Sequence, residues 1–265
     1  IVHAHSFWTN IISRLATPKK VKLLNHYHFA DYDTMKHKGP VKKMMWIDRR
    51  TSRKSMTRIA VSEYLGNVLR AMFPSSEVKV IPNFIHSTFH PKAKNRVDGQ
   101  LKIIAVGNCN IEKNYEVLLD AFSELKDLPI SIDIIGGGDK LEYYRNQAKK
   151  LRLDKVRFCG YVSQVREWLM NYDLFLSTSI SETFGIAVLE GVNAGLPMIL
   201  SDIPAYREIA PRGTEFFQPT NSSELAEKLK ARLGLNQSIH LPAYEEVLEK
   251  YSEGNFLSEL RKLFN

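Results

Sequence analysis

Short, continuously apolar runs alternate with stretches of helical period along this chain, and that alternation constrains its fold more than any other feature. Strands are expected at Ile1 to Ala4, Val21 to Asn25, Arg58 to Val61 and Val78 to Ile81, with helices near Phe7 to Leu15, Pro40 to Arg53 and Glu63 to Met72. The stretch from Ile81 to Gln100, with Pro82, Pro91 and Gly99 and little periodicity, reads as a linker. Beyond it, strands are expected at Leu101 to Val106, Ile130 to Ile135, Val156 to Cys159, Leu174 to Ser177, Leu196 to Leu200 and Glu215 to Phe217. The intervening helices are Tyr115 to Leu125, Lys140 to Leu151, Val165 to Met170, Gly185 to Ala194, Pro204 to Ile209 and Ser223 to Leu233, and a terminal helical segment runs from Ala243. Runs this apolar belong to parallel sheets covered on both faces, so the expected class is α/β with two doubly wound, Rossmann-like domains. The expected boundaries are 1–90, 91–245 and a terminal helical segment 246–265 that packs back toward the first domain. Ligands of such sheets bind beyond the carboxyl ends of the strands, and for two domains that place is the cleft they face.

A hydrophobic content of 44% with 25% charged residues is that of a folded globular chain, and no apolar run approaches the ~20 residues of a membrane helix. The net charge of +8 points to an anionic partner. Part of it is concentrated: Lys36, Lys38, Lys42, Lys43, Arg49, Arg50, Arg53, Lys54 and Arg58 stand against the single acid Asp48. With Met44, Met45, Trp46 and Ile47 among them, these residues suit an anionic membrane surface. Cys109 and Cys159 have no zinc or disulfide spacing, which fits a reducing cytoplasm, with peripheral attachment at the inner face of the membrane. The chain opens on Ile1, already within a strand pattern, so its first domain is expected to be incomplete, with its opening elements absent. No segment resembles a secretory signal.

The chemistry-bearing residues gather at strand ends of the second domain. VGNCNIEKN, Val106 to Asn114, places Lys113 close to a helix start, where an ammonium and backbone N–H groups can meet phosphate; alone, the motif reads equally as an exposed lysine in a turn. In IIGGGDKLEYYR, three glycines allow a ligand near the backbone, although Leu141 occupies the position where a dinucleotide fingerprint needs glycine. FCGYVSQ ends a strand in Gly160 and Tyr161. SISETFGIAVLEGVNAGLPMILSD, Ser179 to Asp202, holds Glu182 in a turn and Glu190 on a helix too apolar for a surface, where an unpaired carboxylate is costly unless a ligand meets it. Carboxylates accept hydrogen bonds from sugar hydroxyls, so two of them can grip two sugars.

Together these motifs resemble the retaining glycosyltransferases of family four (glycosyl transferases group 1), with the two-domain GT-B fold. The resemblance covers essentially the whole chain and is strongest from Leu101 to Ile209. Its most specific element is the pair Glu182 and Glu190 separated by seven residues, with Phe184-Gly185 after the first and an Ala-Gly-x-Pro strand entry from Ala194 to Pro197. The resemblance implies a nucleoside-diphosphate sugar donor, with uridine the commonest base. Glu182 would hold the transferred sugar, Glu190 the ribose, Lys113 the diphosphate, and Phe184, Gly185 and Ile186 would offer backbone amides. Asn108, Gly136, Gly138, Tyr161 and Val162 complete the donor side, with Asn108 standing where the family has arginine and stabilising the diphosphate more weakly. The catalytic set is then Glu182, Lys113 and His26, the last at the end of the strand before HYHFADYD, with His28 and His5 lining the acceptor side.

No acidic metal-holding pair is present in the sequence, so the leaving diphosphate is assigned to Lys113, backbone amides and a helix dipole, with no metal or other cofactor required. The acceptor is expected to be a glycan or lipid-linked glycan, in cell-surface polysaccharide biosynthesis, and nucleic acid is not expected to bind. Two rivals predict differently. A glycoside hydrolase would use Glu182 and Glu190 as acid and base and leave the phosphate site unexplained. A degenerate nucleotide-sugar-binding module would bind without transfer.

Overall fold

The computed structural model describes residues 1–28, 39–87, 99–233 and 241–264. Lys36, Lys38 and most of the linker, Pro91 included, lie outside the described residues. The chain divides into two compact units, Ile1–Phe84 with Tyr251–Asn265, and Ile85–Lys250.

The first unit runs β1 (Val2–His5), α1 (Phe7–Ala16), β2 (Leu23–Tyr27), α2 (Gly39–Thr51), β3 (Met56–Ala60), α3 (Glu63–Met72) and β4 (Glu77–Val80). Its strands form one parallel sheet in the order β1-β2-β3-β4. Every residue of β2 and β3 is buried, as a central parallel strand requires. β2 lies two residues later than its apolar run suggests, because pairing with β1 and β3 continues through His26 and Tyr27. Cross-strand pairing of this kind is invisible to local periodicity. Helix α3 starts at Ser62, whose hydroxyl accepts from the Leu65 N–H at 3.1 Å.

Beneath α1 lies a buried polar knot. Arg14 and Asp48 form an ion pair with both side chains essentially inaccessible. Arg14 also donates to Asn25 Oδ1 at 2.6 Å and to the Tyr27 hydroxyl at 2.5 Å, while that hydroxyl donates to Asp48 Oδ1 at 3.2 Å. Burial and the Asp48 charge push the Tyr27 phenol well above its ordinary range. Arg58, read from sequence as part of the basic stretch, is instead buried, with its guanidinium 3.8 Å from the Phe73 ring centre and a 2.6 Å bond to Ser52. The exposed basic residues of α2 are Lys42, Lys43, Arg49 and Arg50, and Trp46 on the same helix is 66% exposed.

The second unit runs β5 (Leu101–Val106), a 3-10 turn (Ile111–Lys113), α4 (Tyr115–Glu124), β6 (Ile130–Ile135), α5 (Leu141–Lys150) and β7 (Val156–Gly160). It continues with α6 (Val165–Leu169), β8 (Leu174–Ser177), α7 (Ile186–Asn193), β9 (Met198–Ser201), α8 (Pro204–Ile209), β10 (Glu215–Phe217), α9 (Ser222–Ala231) and α10 (Leu241–Lys250). The six parallel strands are ordered β10-β9-β8-β5-β6-β7. The chain moves outward from β5 to β7, then returns to lay β8, β9 and β10 on the opposite side of β5. The order therefore reverses between β5 and β8, and the loops leaving those two strands border the crevice where such sheets bind ligands.

The terminal segment, expected as one helical run, breaks into Leu241–Lys250 and Glu253–Phe264. Ser252 causes the restart: its hydroxyl accepts from the Asn255 N–H at 3.3 Å. The last helix returns to the first unit, where Leu263 joins Leu24, Ile59 and Ile81 in one apolar cluster. Among the described residues no helix is long and apolar enough to cross a membrane.

Candidate active site

The loops after β5 and β8 deliver the two residues the sequence singles out most strongly. Lys113 lies in the 3-10 turn just before α4, not within the helix, and Asn110 caps that turn by accepting from the Lys113 N–H at 3.3 Å. Asn114 then takes a left-handed conformation, φ 51°, that starts α4. From the β8 side, Thr178 donates its hydroxyl to the Lys113 carbonyl at 2.7 Å, and the Ile180 N–H donates to the Glu112 carbonyl at 2.9 Å. These two bonds stitch the loops together at the switch point.

The stitching brings Lys113 Nζ to 2.6 Å from Glu182 Oε1, a largely covered ion pair with side chains 16% and 18% exposed. The Ser179 hydroxyl donates to the same oxygen at 3.2 Å, and the Tyr206 hydroxyl reaches it at 3.4 Å. Tyr206 is fully buried, and burial beside the Glu182 charge raises its phenol well above the ordinary range, so it stays a neutral donor. Glu182 is thus held from below by hydroxyls.

Glu190 is different. It lies on α7, half-buried, and no side-chain hydrogen bond or ion pair to it is found among the described residues. Burial raises its carboxyl above the usual range. A carboxylate that is desolvated yet unpartnered is poised for a ligand carrying hydroxyl donors. Helix α7 begins at Gly185, whose φ of 98° is a left-handed conformation that costs a side chain-bearing residue strain, and an added Cβ would stand 2.9 Å from the Tyr206 ring. The open amides of the first α7 turn and the positive end of its dipole follow directly after Glu182 in the chain.

Other residues of the expected set are placed less simply. Phe184 is a core side chain, 2% exposed, so only its backbone is available to a ligand. Ile186 and Asn108 are exposed, Tyr161 is 83% exposed, and Val162 is half-buried. The glycines after β6 are required by the packing of the fold itself. A Cβ on Gly136 would fall 2.1 Å from the Gly107 carbonyl oxygen, and one on Gly138 would fall 2.8 Å from that of Cys109. Their missing side chains admit the neighbouring β5 loop.

In the first unit, the His5 and His28 rings meet at 3.0 Å, Nδ1 to Nε2. His26, expected to face substrate directly, is 1% exposed, stacked on the His3 ring and packed against the tilted rings of His5 and His28. The accessible members are His5, which is exposed, and His28, which is half-buried. Burial and repulsion from neighbouring rings lower the His26 pKa to about 2 and lower those of His3 and His28, and burial lowers that of His5, so all four rings are neutral at neutral pH. Sequence reasoning does not single out His3. The signal that could have found it is the pairing of HAH with HYH, each with the period of two that puts alternate side chains on one strand face.

A family model described as Glycosyltransferase Family 4 matches residues 1–89. An uncharacterized glycosyltransferase of Methanocaldococcus jannaschii is 27% identical over 224 residues, covering 76% of this chain and 57% of that protein. The O-antigen biosynthesis glycosyltransferase WclY of Escherichia coli is 30% identical over 143 residues, covering 52% of this chain and 40% of that protein. The chain spans about half the length of the curated relatives it matches. Among solved structures, Anabaena HepE in complex with UDP-glucose superposes with a TM-score of 0.82 at 16% identity, covering 98% of this chain and 76% of that one. That likeness establishes a shared GT-B fold. The model described as Glycosyl transferases group 1 matches residues 87–243, which contain the Lys113 turn, the Glu182 loop and α7, and the chain therefore belongs to that family.

Proposed function

We propose that this chain is part of a retaining glycosyltransferase that moves a sugar from a nucleoside-diphosphate sugar, UDP-linked, to a glycan or lipid-linked acceptor. The observation that carries this reading is Glu190, a half-buried carboxylate with no described partner on the helix whose N-terminus follows the Lys113–Glu182 pair. Glu190 accepts from the ribose diol. Lys113 leaves Glu182 for the diphosphate, and Glu182, still held by Ser179 and Tyr206, turns its freed lone pairs to hydroxyls of the transferred sugar. The bond from the anomeric carbon to the diphosphate oxygen breaks while the acceptor oxygen bonds the same carbon on the same face. The acceptor proton passes to the departing phosphate oxygen. Negative charge growing on that phosphate is stabilised by the Lys113 ammonium and the α7 amides, so this step calls on no metal. His5 and His28 are the acceptor-side groups in this reading. A UDP-glucose complex of a fold neighbour and a relative named for O-antigen biosynthesis support the choice of donor and acceptor class.

Calorimetric titration with nucleoside diphosphates and nucleosides tests it. Lys113→Ala should weaken diphosphate binding by roughly 10- to 150-fold, equivalent to ~1.5–3 kcal/mol for a charged hydrogen bond, while nucleoside binding is unchanged. Equal loss for both ligands would place Lys113 away from the diphosphate. Binding of donor without transfer would identify a degenerate module, and glycoside cleavage without nucleotide affinity a hydrolase.

The exposed Lys42, Lys43, Arg49 and Arg50 beside Trp46 support docking on an anionic membrane, where each basic residue contributes about 1 kcal/mol near the surface. Co-sedimentation with anionic vesicles should fall steeply with salt, and equal recovery on neutral vesicles at low salt would remove this part of the reading.

A further inference from the structure

The sheet of the first unit carries a feature that the donor chemistry leaves unused. β1 and β2 are parallel and in register, with His5 opposite His26. Side chains alternate along a strand, so His3 and His5 share a sheet face with His26 and His28. The ring centres of His3, His5 and His26 lie 4.3, 4.8 and 5.5 Å apart pairwise. Both ring nitrogens of His26 and Nε2 of His3 are buried with no hydrogen-bond partner among the described residues. Every neutral imidazole has one donor and one acceptor nitrogen, and the one hydrogen bond seen within this group joins His5 to His28. Buried orphan nitrogens are unfavourable unless something satisfies them.

We infer that His3, His5 and His26 bind a zinc ion through their ring nitrogens. One nitrogen from each ring lies within 4.8 Å of those of the other two. Tetrahedral zinc with Zn–N near 2.05 Å needs nitrogens about 3.4 Å apart and ring centres about 5 Å apart. The ring centres already straddle that value, and rotation of the exposed His5 and half-buried His3 side chains closes the nitrogens. Neutral imidazole donors suit zinc among the divalent ions, and three of them leave a fourth position for water. His28 supplies the outer shell: when His5 donates its Nδ1–H to His28, its Nε2 is left bare to ligate. Bound there, the ion ties β1 to β2. All four residues belong to the first unit, so this site goes beyond the donor chemistry and stands or falls separately.

The test uses the whole, untagged chain, stripped with a chelator and titrated with zinc against a chromophoric competitor. Binding of one ion per chain is expected. Cobalt substitution should give the visible d–d bands of a four-coordinate nitrogen and oxygen site. His5→Gln, at an exposed position that leaves the fold intact, should lower zinc affinity by on the order of 100-fold or more. His28→Gln should lower it by about 10- to 100-fold as an outer-shell partner. His86→Gln, in the other unit, should leave it unchanged. His3→Gln and His26→Gln should match His5→Gln, with circular dichroism confirming that each is folded. Absence of stoichiometric zinc binding overturns the proposal, as does zinc affinity retained in the folded His3→Gln/His5→Gln double variant.

Discussion

Replacing Asp48 with alanine should destabilise the first unit by about 3–5 kcal/mol, a large part of the ~5–15 kcal/mol that holds a typical domain together. The mechanism is not loss of a salt bridge as such. Arg14 remains fully buried in the variant, with Asn25 and Tyr27 still satisfying two of its donors but no negative charge beside it. An uncompensated guanidinium in that environment must draw in water or disrupt the packing of α1 on the sheet. Exchanging both partners for leucine removes the charge along with its counter-ion, so Arg14→Leu with Asp48→Leu should cost less than Asp48→Ala alone. Trp8 and Trp46 report on this unit, and a Trp168→Phe background removes the tryptophan of the other, so urea unfolding followed by fluorescence isolates the effect. A loss below about 1 kcal/mol for Asp48→Ala would mean the pair is far better solvated than its burial indicates.

Glu182→Gln and Glu190→Gln should fail in opposite ways, although each keeps the shape of the side chain and removes its charge. Glu182→Gln should lower turnover by roughly 10- to 150-fold, equivalent to ~1.5–3 kcal/mol, with affinity for free nucleoside diphosphate nearly unchanged, because its partner exists only on the transferred sugar. Glu190→Gln should weaken the free diphosphate and the nucleotide sugar by similar factors, since both carry the ribose. It should also raise the melting temperature of the ligand-free chain. Burial lifts the Glu190 pKa in the folded state above its unfolded value, so between those two values the folded chain holds the extra proton and stability falls as pH rises. The cost of ionising Glu190 is complete above the raised pKa and absent below the unfolded one, and glutamine removes it at neutral pH. Nucleotide affinity of the unmodified chain should conversely fall as pH drops through the raised pKa, since a protonated carboxyl accepts less well. Calorimetry, transfer rates and thermal scans on both variants decide the matter. If Glu182→Gln weakens free diphosphate as much as Glu190→Gln does, the division of labour between the two carboxylates is wrong.

The alternation of apolar runs was sufficient for the α/β class, because parallel strands buried on both faces must be continuously apolar and each needs a crossover helix. The Glu182 and Glu190 spacing was equally legible, since both lie within one strand-turn-helix segment whose geometry is local. What sequence alone left open concerns partners far apart in the chain. Lys113 and Glu182 are separated by 69 residues and meet only because the strand order reverses between β5 and β8. The glycines at 136 and 138 mark a close backbone approach in the sequence, but that the β5 loop lies against them is decided by the fold. Arg58 read as a surface cation, yet it lies in the core against Phe73. HAH and HYH were two isolated histidine pairs until the register of β1 on β2 placed them on one face. Hydrophobic period and turn chemistry act over a few residues and are written into the chain directly. Strand order, register and the burial of polar groups come from long-range pairing, which only the folded chain decides.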